Sequence, residues 1–561
     1  MENRSFEGMI SELLKSFGSK PKKQHSRRYN TIRSIIITLL FGIVYFYFAL
    51  PALNLKNPDF YWFVFLLAAV YCICALSSNR EIKNADDIKT ILSTLKKVCF
   101  IPFGICVSMI VVFLIGGILS SVFLRPRTYS NLISIESGNF ANEVEEISYD
   151  QIPMLDKFSA QRLGDRKLGE LSDMVSQFEV TDDYPQMNYK GVPVRVATLD
   201  YGDFFKWLNN RKNGLPAYIV IDMVSQNVEV VRLSDGIKYS KGEYFFRNLD
   251  RHLRFSYPTF IFDTPHFEID EDGNPFWICP RIVKTIGLFG GTDIRGAVIV
   301  DAVTGKSEYV EDIPQWVDQV YSASSLKEQY DYHGRYGDGF LNSMFGQKGV
   351  TVTTEGYNYI AMNDDVYIYT GITSVGGDES NIGFILVNQR TKDARYYPCA
   401  GAEEYSAMAS AEGIVQHLNY KATFPLLLNI SEQPTYFIAL KDNAGLVKMY
   451  AMVNVQQYNV VATAASVAEC EIEYIKQLNQ NGISVLPPTS SAQITGIVEN
   501  IRTAVIDGNS YYYFKLSNKN SYYSIAAVNC EKAIIISIGD FVSIVANPDD
   551  TSSIVQAISI E

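Results

Sequence analysis

Three long apolar runs without charge lie near the N-terminus, and short apolar segments broken by polar turns fill the chain beyond them. Between Arg33 and Lys56 stand 22 uncharged residues, between Asp59 and Arg80 another 20, and between Lys97 and Arg125 another 27. A helix needs about 20 apolar residues to cross the hydrocarbon of a bilayer, so each run predicts a transmembrane helix. The first run begins too far into the chain, and is too long, for a cleaved signal peptide. None of the three holds an ionisable side chain, which argues against an ion or proton pathway built from these helices alone. Gly116 and Gly117 in the third run suit close helix packing.

The pattern changes after Arg127. Four thirteen-residue segments share one design: Ile219–Val231, Val298–Val310, Ile385–Tyr397 and Ile438–Tyr450. Each begins with three apolar residues, followed by Asp222, Asp301, Asn388 or Lys441, and three positions later by Ser225, Thr304, Thr391 or Ala444. An apolar run, an Asx-type turn and an alternating return predict a β-hairpin with one buried strand. The spacing between copies is irregular, which fits a duplicated module rather than a solenoid. A helical pattern follows each hairpin: Lys241–Leu253, the stretch after Asp312 with Pro314 in its first turn, Gly401–Leu418 and Ser466–Leu478. Strands interleaved with helices predict an α+β body of antiparallel sheets covered by helices.

At Val300 to Lys306 the residues read VDAVTGK. This run resembles the end of PepSY modules, small extracytoplasmic units with a cystatin-like sheet and helix. The resemblance is local, because the other three hairpins lack the Asp-Ala-x-Thr-Gly run. It implies a binding or inhibitory module acting on an envelope protein.

Leu486-Pro487-Pro488-Thr489-Ser490-Ser491 reads as a linker. Five or six short alternating strands follow it, with turns at Asp507-Gly508-Asn509 and Gly539-Asp540. The Gly539-Asp540 turn before FVSIVA is similar to the late strands of OB-like barrels, which implies an open face for a ligand. Tyr511, Tyr513, Tyr522 and Tyr523 are the candidates for that face. Basic residues are sparse there, so nucleic acid is not the expected partner.

Charge refines the picture. Residues 1–127 hold 16 Lys/Arg and 7 Asp/Glu, a net of +9, while the remainder holds 33 and 54, a net of −21. An acidic body of this kind is not a generic nucleic-acid binder. Lys and Arg crowd the N-terminal tail and the loop after the second run, whereas the loop after the first holds only Lys56. The positive-inside rule places tail and second loop in the cytoplasm, and three crossings place residues 125–561 outside. Gly8–Ser16 could form a short amphipathic helix on anionic lipid or remain a solvated tail. Eight cysteines without a CxxC pair, and five histidines, support neither a metal site nor a redox pair. Cys279, Cys399, Cys470 and Cys530 are expected to be buried thiols, with two disulfides as the alternative.

No catalytic motif stands out. Glu268–Pro275 lacks the later Glu of an EF-hand and reads as a hairpin tip. Gly287–Gly296 is glycine-rich but has neither GxGxxG spacing nor a Walker Lys, and reads as a loop. Two glycine-rich acidic loops, His333–Gly349 and Thr370–Gly383, flank Asn363-Asp364-Asp365. They are either tight turns or a ligand or cation site built from Asp338, Asp364, Asp365, Asp378 and Glu379. His333, Ser374 or Ser380, and Asp378 are the residue types of a hydrolytic triad, but no GxSxG elbow frames either serine.

The expected fold is membrane-anchored α+β: three N-terminal transmembrane helices, a β-rich body of repeated hairpin-plus-helix modules and a small C-terminal β-barrel. Its parts are a basic cytoplasmic tail (1–33), a three-helix transmembrane region (34–124), a stalk (125–190), two α+β module pairs (191–324 and 325–485) and an OB-like barrel (492–561). The expected function is a non-enzymatic binding or scaffold protein of the envelope. Its partners would be membrane lipid and an envelope protein, with oligomers through the helices and no cofactor. The alternatives are a subunit of a transport or secretion complex and a hydrolase using the 333–383 loops.

Overall fold

The computed structural model describes residues 27–77, 88–144, 152–362, 364–376, 380–483, 485, 492–506, 509–517, 519–527, 530, 532–546 and 554–560. The amphipathic stretch Gly8–Ser16 and the expected linker Leu486–Ser491 lie outside these. Three apolar helices come first: α1 (Arg27–Ala49), α2 (Pro58–Ser77) and α3 (Ile88–Leu119). Each holds a segment long and apolar enough to span a membrane: Arg28–Ala49, Pro58–Ser77 and Leu95–Leu119. Gly42 of α1 packs against Leu67 of α2, where a Cβ would come within 2.9 Å of the Leu67 side chain.

Four modules of one topology follow. The first has α4 (Lys157–Gly169), β1 (Phe178–Val180), β2 (Gln186–Tyr189), β3 (Val192–Tyr201), α5 (Phe204–Asn210), β4 (Leu215–Asp222) and β5 (Val228–Ile237). The second has α6 (Leu249–Ser256), β6 (Ile261–Phe262), β7 (His266–Ile269), β8 (Pro275–Ile286), β9 (Gly290–Asp301) and β10 (Ser307–Val310). The third has α7 (Ala323–Tyr336), β11 (Thr351–Thr353), β12 (Asn358–Met362), β13 (Asp365–Ser374), β14 (Ser380–Asn388) and β15 (Ala394–Ala402). The fourth has α8 (Glu404–Ile414), β16 (Lys421–Ala422), β17 (Leu426–Ile430), β18 (Gln433–Lys441), β19 (Val447–Asn454) and β20 (Val461–Ala464), followed by α9 (Val467–Gln480). In every sheet the two short strands share one edge of a long strand, which then runs antiparallel into a hairpin. In the third, Ile135–Ser137 adds a parallel strand beside β15.

The hairpin turns explain the repetition. The side-chain oxygen of Asp222 accepts from the N–H groups of Val224 and Ser225. Asp301 does the same with Val303 and Thr304, and Asn388 with Arg390 and Thr391. Each turn closes through a left-handed residue: Gln226 (φ 60°), Gly305 (φ 76°) or Lys392 (φ 69°). The fourth counterpart is Asn454, which accepts from Gln456 and Gln457. The repeat therefore lies in β19–β20, one hairpin later than the expected Ile438–Tyr450. Backbone bonds establish the equivalence. Met223, Ala302, Gln389 and Val455 donate to Pro193, Pro275, Val366 and Pro434, and accept from Met154, Tyr239, Tyr321 and Ala402, just ahead of each module's helix.

Those bonds also tie each helix to the strands after it, not to the hairpin before it. Residues 157–189 of the expected stalk are in fact the start of the first module, with Ala160, Leu168, Phe178 and Met187 in its core. That core also holds Trp277, Cys279 and Val298, so the first two modules share one hydrophobic centre. The stretch from Asp312 to Ser322 forms no helix. Val317 and Val320 enter a core with Ile278 and Ile294 instead, and the N–H groups of Asp318 and Gln319 bond to Glu268.

The chain falls into two compact units. The first holds the spans, the first two modules and most of the third. The second holds the fourth module and a terminal set of strands: β21 (Ala492–Ile506), β22 (Asn509–Leu516), β23 (Tyr522–Ala526), β24 (Phe541–Ala546) and β25 (Ile554–Ile560). The long β21 pairs with both β22 and β24, while β23 and β25 run parallel, which closes the ring. Cys279, Cys399 and Cys470 are buried free thiols.

Candidate functional site

The most elaborate polar joint seats the body on the helix ends. The glycine-rich run expected to be a simple loop is the β8–β9 hairpin tip, with Gly287 and Gly291 at positive φ. Ser120, just beyond α3, accepts from the Leu288 and Phe289 N–H groups at 2.8 and 2.9 Å and donates to the Gly116 carbonyl at 2.6 Å. Phe289 meets the rings of Tyr61 and Phe113, at centroid distances of 5.8 and 4.9 Å. Gly116 makes room for this tip, not for another helix: a Cβ there would lie 2.7 Å from Leu288 Cδ2. At the end of α1, Arg251 donates to the Tyr47 carbonyl and Arg254 to that of Leu50. The α1–α2 loop adds Leu53 N–H to Pro258 and Lys56 Nζ to the Lys284 carbonyl. The end of α1, the start of α2 and the end of α3 thus all meet the second module.

The acidic candidates separate. Asp338 lines a cavity of about 390 Å³ beside α7, with His333, Arg335, Tyr330, Thr351 and Tyr396. His333 Nδ1 lies 2.9 Å from the Ser130 carbonyl, and neither Ser374 nor Ser380 lines the cavity. Asp364 is in the left-handed region (φ 66°), accepts a long hydrogen bond from Gln315 Nε2, and lines a second cavity of about 520 Å³ with Lys190, Glu271 and Trp316. Asp365 departs from the expected ligand role. It is buried, meets Arg390 in a two-pronged ion pair at 2.6 and 2.7 Å, and accepts from Asn388 Nδ2 at 2.8 Å. Asp378 and Glu379 lie outside the described residues. Among the described residues, no group of three His, Cys, Asp or Glu side chains could hold a metal ion.

Sequence reasoning missed a buried carboxylate joint. Glu268 on β7 is fully buried and accepts from the Asp318 and Gln319 N–H groups, both at 3.0 Å, with His266 Nε2 at the same distance. Asp318, also buried, accepts from the Asn188 N–H at 2.6 Å. Burial, and then the charge of Glu268, push the Asp318 carboxyl well above the usual range. The only sequence signal was an acid amid apolar residues, in QWVDQVY.

On the terminal strands, Tyr523 belongs to the core with Phe514 and Leu516, which removes it from a binding face. Tyr511, Tyr513 and Tyr522 remain half-exposed on the opposite surface. The strand register puts Tyr513 opposite Ser524 and Arg502, and Tyr522 opposite Lys515. The Arg502 guanidinium lies 5.2 Å from the Tyr522 ring centre and Lys515 Nζ 6.0 Å.

No family model and no curated relative matches the chain. Among solved structures, Bacillus subtilis levansucrase aligns over 76% of this chain and 95% of its own at 9% identity. The TM-score of 0.17 is too low for that alignment to bear on fold or function.

Proposed function

We propose that the protein is a non-enzymatic scaffold anchored in a cell envelope by three spanning helices, with residues 125–561 outside. The observation that carries this reading is the seat itself. Three helix ends and the second module are joined by side-chain-to-backbone bonds through Ser120, Arg251, Arg254 and Lys56. A second module fixed this way is held at a set height and orientation, which is what a presenting scaffold requires of its base. The excess of Lys and Arg at the other ends of the helices favours a cytoplasmic tail. Four helix-plus-sheet modules fit PepSY-like binding units. The order of the terminal strands (first, second, third, fifth, fourth, back to first) is that of an OB-like barrel. The partner surface is the outer face of β22–β23, where Tyr511, Tyr513 and Tyr522 lie beside Arg502 and Lys515. This set suits an acidic segment of an envelope protein.

Reporters active only outside, or only inside, fused in turn after Glu561 test the reading. An outside signal is expected. An inside signal overturns the envelope location and the PepSY analogy with it.

A further inference from the structure

Two groups of exposed aromatic and apolar side chains flank the spanning helices; ring contacts join the first to α1 itself and the second to Phe123, four residues beyond the end of α3. The first starts in the last turn of α1. Tyr47 packs edge-on against Phe246 at 5.6 Å, and Phe46 and Phe246 both meet Phe255. From the neighbouring Tyr244 and Phe245 the chain of rings passes to Trp207 and Phe204, and from Phe204 to Phe205. The outermost rings are wet: Phe205 is 73% exposed, Phe246 61% and Phe245 56%. Phe245 is also held at φ 54°, a costly conformation for a bulky residue. Beneath the patch, buried Glu243 accepts from Tyr201 OH at 2.8 Å and Trp207 Nε1 at 2.7 Å and fixes the platform. Exposed Arg211 and Lys212 follow directly after α5.

The second group lies beyond α3. Phe123 packs edge-on against Phe340 at 5.4 Å, and the next turn presents Leu341, Met344 and Phe345. Phe345 is 82% exposed. Lys348 follows it, also exposed.

Exposed aromatic patches of this kind in water are unfavourable, and contiguous ones mark an interaction surface. Both patches continue the surface of a helix at the point where it reaches the body. Aromatic side chains with a basic fringe are what the headgroup layer of a bilayer accommodates. We propose that Phe204, Phe205, Phe245 and Phe246 on one side, and Leu341, Met344 and Phe345 on the other, dip into the bilayer facing the body. There the Arg211, Lys212 and Lys348 charges sit at the phosphates. The first three modules, through Phe204 and Phe205, Phe245 and Phe246, and Leu341, Met344 and Phe345 respectively, are thereby lipid-contacting elements in their own right. This rests on the reading that the three helices cross the membrane.

The test uses the full chain in vesicles of mixed phosphatidylethanolamine and phosphatidylglycerol. Photoreactive p-benzoylphenylalanine replaces one residue at a time: Phe205, Phe246 or Phe345, with Phe103 in the third span and Glu271 as controls. Glu271 lies in the turn at the far end of β8 from the Leu288–Phe289 tip, and twelve extended residues place it roughly 40 Å away. After illumination, intact mass should show one added phospholipid at Phe205, Phe246, Phe345 and Phe103, and none at Glu271. Lipid adducts at Phe103 with none at the three patch positions would overturn the proposal. Adducts to a second protein chain at those positions would do the same. If Phe103 itself yields no lipid adduct, the spanning reading fails and the proposal with it.

Discussion

Ser120 and Asp365 show how far single residues decide this structure. Ser120 is buried, and its hydroxyl oxygen accepts from two N–H groups of a tight turn. Ser120→Ala should leave both donors unpaired and cost about 1–3 kcal/mol. Thermal unfolding in detergent would read this as a clear drop in midpoint, and an unchanged midpoint would contradict it. Asp365 was legible as an acid in a polar run, but its role was not. Arg390 and Asn388 stand 25 and 23 positions away, and only the β13–β14 pairing brings them together. Removing one partner of a largely buried ion pair leaves the other charge uncompensated. Asp365→Ala should therefore destabilise the chain by about 3 kcal/mol. A ligand role without a structural one would leave the unfolding midpoint where it was.

At the scale of elements, the hairpins were legible and their grouping was not. Asx turns announce themselves locally, so Asp222, Asp301 and Asn388 could be aligned from sequence. The same chemistry recurs at other hairpins. Asp442 caps the turn of β18–β19 with Gly445 at φ 78°, and Asp270 caps that of β7–β8 with Gly273 at φ 82°. The motif thus marks a turn without saying which hairpin of the module it closes, which is why the sequence pattern points to Ile438–Tyr450 while the fourth equivalent turn is that of Asn454. The helix expected after Asp312 failed for a different reason. Its backbone donors are taken by Glu268, about fifty positions away, and no local pattern reports that. The turns also make a prediction. Gln226 is half-buried and left-handed where the second module has glycine. Gln226→Gly should relieve the strain and raise stability by about 0.5–1 kcal/mol, because the left-handed cost exceeds glycine's extra entropy. Gly305→Ala should do the reverse and by more, since its Cβ would fall on the Tyr239 ring. Denaturant midpoints of the two variants should move in opposite directions.

For the molecule as a whole, the notable choice is to bury acids where modules meet. Asp318 lies between the first and second modules, bonded to Asn188 of one and charged against Glu268 of the other. Asp365 of the third module adds to the same push. Because burial and neighbouring charge raise the Asp318 carboxyl in the folded chain, the native state holds this proton more tightly than the unfolded state does. Between the ordinary Asp range and the raised folded value, the native state therefore binds more protons, and stability falls as pH rises through that window. Each pH unit across it removes up to about 1.4 kcal/mol. Glu243, Asp200 and Asp165 are also raised by burial, so a single pH curve would not isolate the joint. A difference does. Asp318→Asn keeps an oxygen for the Asn188 N–H and cannot ionise, while every other acid stays as it is. The variant should match the parent at acid pH and become the more stable of the two as pH climbs, in unfolding midpoints measured side by side. Parallel curves for parent and variant would mean that Asp318 holds its proton no more tightly in the folded chain than in the unfolded one, and would overturn this account of the joint.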